Sequence, residues 1–410
     1  LQGGNFVTTY LIIGNGAAGN AAAAAIREYD PQGPIHIFSR ESYPFYYVPA
    51  LPEYLAGEKN LDQFTIHGLD WYEKNRVDLH LETEIIRIDP EKKMVETRKG
   101  EIYQYDKLLL ATGSSANVPP IKGADTEGVF TLKNFDDART IREYAQKSRR
   151  VGLIGGGLLG LEAGNGLRKA GARVTVVEFF PRLLPRQMDV PGAALLQKQM
   201  EEMGFTFYLG AVTEEIIRDS GGLTLILKSG DRITVDMVLI SAGVRPELSL
   251  AKSLHLEIDK AVKVDDAMRT SRPDIFAAGD LVEHRGRFYG IWPACLEQGR
   301  VAGAVMAGRQ AAYEGTVPAN TLKVAGIDLF SAGEIDVEGN LEAIVSKDEK
   351  KKTYRKFVIQ DNILVGAILL GDLTGSAAVQ QAIKAKKDIG ALKKSLADEK
   401  FDFQKLSPGT

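Results

Sequence analysis

Two glycine-rich loops define the chemistry open to this chain. The first reads Ile12-Ile13-Gly14-Asn15-Gly16-Ala17-Ala18-Gly19, and the second reads Leu153-Ile154-Gly155-Gly156-Gly157-Leu158-Leu159-Gly160. Each closes a short apolar run and opens a small-residue helix, predicted over Ala17–Tyr29 and Leu158–Ala170. The first glycine of each triplet (Gly14, Gly155) permits a tight turn. The second (Gly16, Gly157) lets the backbone approach a pyrophosphate, and the third (Gly19, Gly160) lets helix and strand pack closely. The anion then rests on the first helical N–H groups, at Ala17-Ala18 and Leu158-Leu159, where free donors and the helix dipole favour negative charge. One such loop is a weak signal. Two in one chain point to a protein that joins two dinucleotides, and hydride transfer from a nicotinamide to a flavin is the chemistry that needs both.

Each loop needs a second strand to carry a ribose-binding acid about 20 residues on. In the second unit the strand is Arg173–Glu178, and Glu178 ends it. That carboxylate grips a ribose 2′-hydroxyl and repels a 2′-phosphate, so NADH is expected over NADPH, with Arg182 and Arg186 nearby as the counter-signal. In the first unit the strand is Ile35–Phe38, followed by Ser39-Arg40-Glu41; Ser39 holds the equivalent position and Glu41 is the candidate acid.

An internal repeat supports the pairing. Tyr105-Asp106-Lys107-Leu108-Leu109-Leu110-Ala111-Thr112-Gly113 and Val235-Asp236-Met237-Val238-Leu239-Ile240-Ser241-Ala242-Gly243 share an acid, an apolar run and a small-small-glycine end. Gly113 and Gly243 again let a backbone approach a ligand.

The elements that must hold these residues are two α/β units with β meanders. The first meander is Ile85–Ile88 and Met94–Thr97. The second is expected to run through Thr206–Leu209, Glu214–Arg218 and Leu223–Lys228. The alanine run Ala21–Ala25 fits a helix pressed on a sheet. Two strand runs, Thr353–Gln360 and Ile363–Leu370, flank Asp361-Asn362, a hairpin signal without the usual glycine; a helix over Ser376–Ala385 follows. Lys347–Lys352 reads as a solvated loop, and the polar tail Lys393–Thr410 as partly disordered. The expected division is 6–118 and 243–319 for one dinucleotide domain, 119–242 for the other and 320–410 for a small α/β interface domain.

With 410 residues, 44% hydrophobic and 26% charged, the composition is that of a globular protein. A net charge of −3 gives no reason to expect nucleic acid, and no apolar run reaches the ~20 residues of a membrane span. The opening Leu1-Gln2-Gly3-Gly4 reads as a cleaved tag remnant or a trimmed terminus, without a signal-peptide pattern. A single cysteine, Cys295, excludes an internal disulfide, a Cys-x-x-Cys pair and a cysteine-ligated cluster within this chain. It favours a reducing cytoplasm and reads as a structural thiol. The five histidines (His36, His67, His80, His255, His284) show no metal-ligand spacing, so no metal is expected.

The loops, the Ala111-Thr112-Gly113 strand end and Thr270-Ser271-Arg272-Pro273-Asp274-Ile275-Phe276-Ala277-Ala278-Gly279-Asp280 together resemble the FAD-dependent pyridine-nucleotide oxidoreductases. The resemblance implies FAD and NADH as cofactors. It also implies that Asp280, after Gly279, bonds a ribityl hydroxyl, and that the helix opening at Trp292-Pro293 points its positive end at the flavin ring. Tyr46–Gly57, Trp71–Asn75, Gly326–Ser331 and Asp361–Gly371 are similar to the NADH:rubredoxin oxidoreductases and the flavin portion of assimilatory NADH-nitrite reductases.

Two departures matter. Matching Leu51-Pro52 to coenzyme A-disulfide reductases puts Pro49 where their redox cysteine stands. Without a thiolate neither a mixed disulfide nor a sulfenic acid can form, so electrons must leave the flavin directly. Ferredoxin-reductase relatives have a lysine near the flavin where this chain has Glu53, while the family glutamate is present as Glu162. What orients the nicotinamide between Glu53 and Glu162 is left open. The implied activity is NADH oxidation with electrons passed singly to a rubredoxin-like iron–sulfur carrier or a larger iron–sulfur complex, with a possible oligomer and no membrane insertion. An NADH oxidase and a non-catalytic flavin sensor are the alternatives.

Overall fold

The computed structural model describes residues 7–317, 319–324, 326–396, 398 and 401–407. The opening Leu1–Gly4 and part of the polar tail lie outside them. The chain forms two compact units: residues 1–47, 61–115 and 244–316, and residues 48–60, 116–243 and 317–410.

The first unit is built on a parallel sheet in the order Ile275–Ala277, Lys107–Leu110, Tyr10–Ile13, Ile35–Phe38, Val77–His80. The inner strands are almost wholly apolar because both faces are covered, whereas the edge strand Val77–His80 alternates apolar and polar residues. Ile12, Ile37 and Leu109 face Ala22 and Ile26 of the helix Ala17–Tyr29. Leu11, Ile13, Phe38 and Leu108 face the other way, toward the meander and Leu250 and Leu254. The meander has a third strand, Ile102–Gln104. The alanine run serves a helix as well as a sheet: a Cβ on Gly299 or Gly303 of the helix Trp292–Met306 would meet the Ala18 or Ala22 carbonyl oxygen at 2.2 and 2.3 Å. Small residues on both helices allow that approach.

The second unit repeats the plan, with parallel order Thr206–Leu209, Arg173–Glu178, Arg150–Ile154, Met237–Ile240, Val129–Thr131. Thr206–Leu209, expected in the meander, instead pairs in parallel with Arg173–Glu178; the meander is Thr213–Asp219, Gly222–Leu227 and Arg232–Val235. A four-residue run has too little periodicity to distinguish the two. Both sheets use the repeated acid alike. Asp106 accepts from the Thr9 N–H at 2.7 Å, and Asp236 from those of Arg149 and Arg150 at 2.8 Å, so each carboxylate anchors the entry to the glycine-loop strand.

In the C-terminal part of this unit an antiparallel sheet runs Ala319–Val324, Ile327–Gly333, Ile363–Leu370, Thr353–Gln360, Glu342–Asp348. Asp361 and Asn362 take φ of 51° and 64°, the left-handed pair of a type I′ turn, which short polar side chains tolerate. One expectation is corrected here. Lys347 belongs to a strand, and only residues 349–352 form the turn. The described tail is packed: Leu396, Phe401, Phe403 and Leu406 are buried against Phe357, Val379 and Ile383, because apolar residues spaced along a polar segment found one common face. Asp189, Tyr354 and Lys356 form a buried polar group, with Tyr354 Oη donating to Asp189 Oδ2 at 2.6 Å and Lys356 Nζ 3.3 Å from the same oxygen.

Candidate dinucleotide-binding sites

Gly14 and Gly155 have φ of 120° and 112°, and a Cβ there would strike the carbonyl oxygens of Ala111 and Ser241 at 2.1 and 2.2 Å. A Cβ on Gly19 or Gly160 would meet the Gly14 or Gly155 oxygen at 2.0 and 2.9 Å. These four glycines are required by the fold itself. Gly16, Gly113, Gly157 and Gly243 differ, since an added Cβ meets nothing within 4 Å. The helices that begin after Gly16 and Gly157 have no side-chain cap and no acid in the first turn, whereas Asn134 and Asp189 cap theirs. Open backbone beside unsatisfied helix N–H groups fits a pyrophosphate in both units.

In the first unit, the loop is held from beneath by a buried polar cluster that the sequence reading missed. Asn20, fully buried in the alanine run, donates to the Asn15 and Gly16 carbonyls at 3.0 and 3.1 Å. Tyr72 Oη, with one proton to donate, lies 2.9 and 2.8 Å from Asn15 Oδ1 and Asn20 Oδ1, and His67 Nδ1 lies 3.1 Å from Asn20 Oδ1. The one available signal was a lone asparagine among alanines. Ala17 and Ala18 are buried at the helix start, Ser39 is buried at the strand end, and Arg40 is exposed. The Ser39 hydroxyl accepts from the Glu41 N–H at 3.2 Å, and Glu41 Oε2 accepts from Tyr46 at 2.7 Å. The Thr112 hydroxyl donates to Glu247 O at 3.3 Å, and Gly113 O accepts from Glu247 N–H at 3.0 Å.

Asp280 Oδ2 accepts from Ser114 Oγ at 2.9 Å and its Oδ1 from Cys295 Sγ at 3.3 Å; the Gly279 N–H donates to Gln298 at 2.9 Å. Cys295, read as a structural thiol, therefore contacts the candidate ribityl ligand. Trp292 stacks on Phe45 with ring centroids 5.6 Å apart, and Pro293 sits in the first turn of a helix without a side-chain cap.

In the second unit, Glu178 is buried and accepts from the backbone N–H groups of Gly156 and Phe180, the latter at 2.7 Å. It therefore shapes the loop as well as standing at the ribose position. Arg182 is committed to the carbonyls of Pro185 and Met188 at 2.9 and 3.2 Å. Leu158 and Leu159 are half-buried in the first helical turn. Ala242 O and Gly243 O accept from the side chain and N–H of Asn117 at 3.0 and 2.9 Å.

Residues 48–60 also belong here. Pro49 lies in the 3-10 turn Val48–Ala50, and Glu53 in the short helix Leu51–Leu55. That helix lies against Gly166, where a Cβ would meet Pro52 O at 2.5 Å. This contact brings Glu53 near Glu162. Burial, then the Glu53 charge, pushes the Glu162 carboxyl up to about 7. Glu53 itself is ion-paired with Lys59.

Two Rossmann-type units with paired, open glycine loops and a smaller C-terminal sheet define a flavin- and nicotinamide-dependent oxidoreductase. The chain belongs to the pyridine nucleotide-disulphide oxidoreductase family, which matches residues 8–311, and the rubredoxin NAD+ reductase C-terminal domain matches residues 318–387. It binds FAD and NAD(H). It is 32% identical to the NADH-rubredoxin oxidoreductase of Clostridium acetobutylicum over 93% of this chain and 95% of that one. The crystal structure of NADH:rubredoxin oxidoreductase from that organism superposes with a TM-score of 0.80, at 30% identity over 93% and 96% of the two chains. It is 36% identical to a nitrite reductase [NAD(P)H] of Bacillus subtilis over 94% of this chain, but spans only 48% of that protein. Among the described residues no helix is long and apolar enough to cross a membrane.

Proposed function

We propose that this chain takes hydride from NADH and passes electrons one at a time to a small iron–sulfur protein of the rubredoxin type. The carrying observation is the single cysteine in an otherwise complete disulphide-oxidoreductase framework: Cys295 bonds Asp280, and the resemblance puts Pro49 in place of the thiol of disulfide reductases. Bound FAD supplies the chemistry, accepting two electrons and releasing them singly. The protein's part is placement. The helix ends after Gly16 and Gly157 would hold the two pyrophosphates and Asp280 a ribityl hydroxyl, and the uncapped start of the helix Trp292–Met306 would supply positive charge to the flavin. Glu41 and Glu178 are the candidate ribose ligands. Buried Glu178, with Arg182 occupied by backbone carbonyls, supports NADH over NADPH. Glu162 and Glu53 border the nicotinamide in this reading, Glu162 supplying a neutral hydrogen-bonding carboxyl at and below about pH 7. A reducing cytoplasm agrees with the lone cysteine.

The test is anaerobic stopped-flow. NADH is expected to bleach the flavin, and oxidised rubredoxin then to restore it faster than air does. Fast reduction with no response to rubredoxin, or reoxidation fastest in air, overturns the rubredoxin assignment. A second reading, service to a larger iron–sulfur assembly, is favoured by the half-length match to nitrite reductase; copurifying iron–sulfur chains would support it.

A further inference from the structure

The described residues contain a three-ligand cluster unrelated to either glycine loop. Ile35–Phe38 and Val77–His80 are adjacent parallel strands in which His36 registers with Asp78 and Phe38 with His80. Side chains two apart share a face of a strand, so His36, Asp78 and His80 converge. His36 Nδ1 lies 3.2 Å from His80 Nε2 and 3.2 Å from Asp78 Oδ2, and His80 Nε2 is 3.3 Å from that same oxygen. The three atoms make a nearly equilateral triangle.

Either neutral arrangement of protons leaves one edge of this triangle unfavourable. One proton serves one edge and leaves lone pairs facing each other along another. Two protons, one on each ring, let both rings donate to Asp78 Oδ2 but set two N–H dipoles side by side. A single cation above the triangle contacts all three lone pairs at once. With metal–ligand bonds of about 2.1 Å, a triangle of this size subtends angles of about 100°, between octahedral and tetrahedral values. Nitrogen and carboxylate donors together suit zinc and its first-row neighbours.

The rings are held for this task. His80 stacks on Phe38 with centroids 4.4 Å apart, and Tyr103 meets it edge-on at 5.1 Å. Both histidine side chains are less than a quarter exposed, while Asp78 is 63% exposed and leaves a path from solvent.

We infer that His36 Nδ1, His80 Nε2 and Asp78 Oδ2 form a site for one divalent transition-metal ion of the zinc type, with water completing its coordination. The ion would tie the edge strand of the first sheet to its neighbour. The neighbour runs directly into Ser39, whose N–H already donates to His80 O at 2.9 Å.

The test uses tag-free FAD-loaded protein, stripped with chelator and then equilibrated with Zn2+ alone, with metal and flavin both quantified. One Zn2+ per chain and a raised thermal midpoint are expected. His36→Gln and Asp78→Asn, which preserve side-chain size, should weaken binding by about tenfold or more at unchanged flavin content. Wild-type protein that retains no zinc overturns the site, as do variants that bind it as tightly as wild type. His255 and His284 serve as controls, and loss of zinc on replacing either one while His36→Gln has no effect would also overturn it.

Discussion

Cys295 Sγ donates to Asp280 Oδ1 at 3.3 Å while Ser114 Oγ donates to the other oxygen at 2.9 Å. The only thiol in the chain thus positions a carboxylate. Cys295→Ala should weaken FAD binding about tenfold, since a hydrogen bond to a charged group contributes roughly 1.5 kcal/mol. Cys295→Ser should keep the affinity. At saturating FAD both variants should retain NADH-driven reduction of a one-electron dye to within about twofold. Flavin titration of the apoprotein and dye assays check this; a dead Cys295→Ser enzyme at full flavin occupancy would show that the thiol itself takes part.

Gly16 and Gly157 separate fold from ligand. Their backbones are extended, with φ of −86° and −80°, a conformation that any residue adopts. Gly16→Val should fold but lose FAD by about tenfold or more, and Gly157→Val should keep FAD while weakening NADH to a similar degree. Gly14→Ala, by contrast, meets backbone and should lower expression of folded protein. Circular dichroism, flavin absorbance and NADH titration distinguish these outcomes; a Gly16→Val protein that retains flavin would refute the assignment of the first loop.

Glu162 makes stability depend on pH. Its carboxyl releases its proton near pH 7 in the folded chain against 4.5 for an ordinary glutamate. Between those values the folded state holds a proton that the unfolded chain has lost, so stability falls as pH rises through the window and the loss is complete above about pH 7. The penalty is on the order of 3 kcal/mol. Glu162→Gln should remove it, giving a flatter profile and a more stable protein at pH 8. Urea unfolding of the NADH-free protein across pH 5–8 measures it, and a variant profile parallel to wild type would contradict the shift.

Tyr354, Lys356 and Asp189 form a buried cluster that is costly to disturb. Tyr354→Phe should destabilise by about 1.5–3 kcal/mol, the range for a hydrogen bond to a charged group. Lys356→Met strands a buried carboxylate and should cost about 3–5 kcal/mol. Adding Asp189→Asn should recover part of the second loss. Denaturant midpoints decide it, and simple additivity of the two substitutions would mean that Lys356 and Asp189 do not interact.

Both glycine loops, their strands and helices, and the hairpin at Asp361-Asn362 were legible in the sequence. Local steric rules write such features into neighbouring residues: a turn that excludes a Cβ, an apolar run covered on both faces, a left-handed pair that tolerates Asp and Asn. What lay beyond the sequence depended on partners distant along the chain. The place of Thr206–Leu209 was settled by which edge it reached. The tail packed because Leu396, Phe401, Phe403 and Leu406 found one surface. Asn20 met Tyr72, Cys295 met Asp280, and Glu53 met Glu162 through helix packing that no local spacing encodes. His36 and His80, ordinary in the sequence, became neighbours only when two parallel strands set their register. Side-chain chemistry is local, but the proximity that gives a carboxyl a pKa near neutrality, or three donors a common centre, exists only in the tertiary fold.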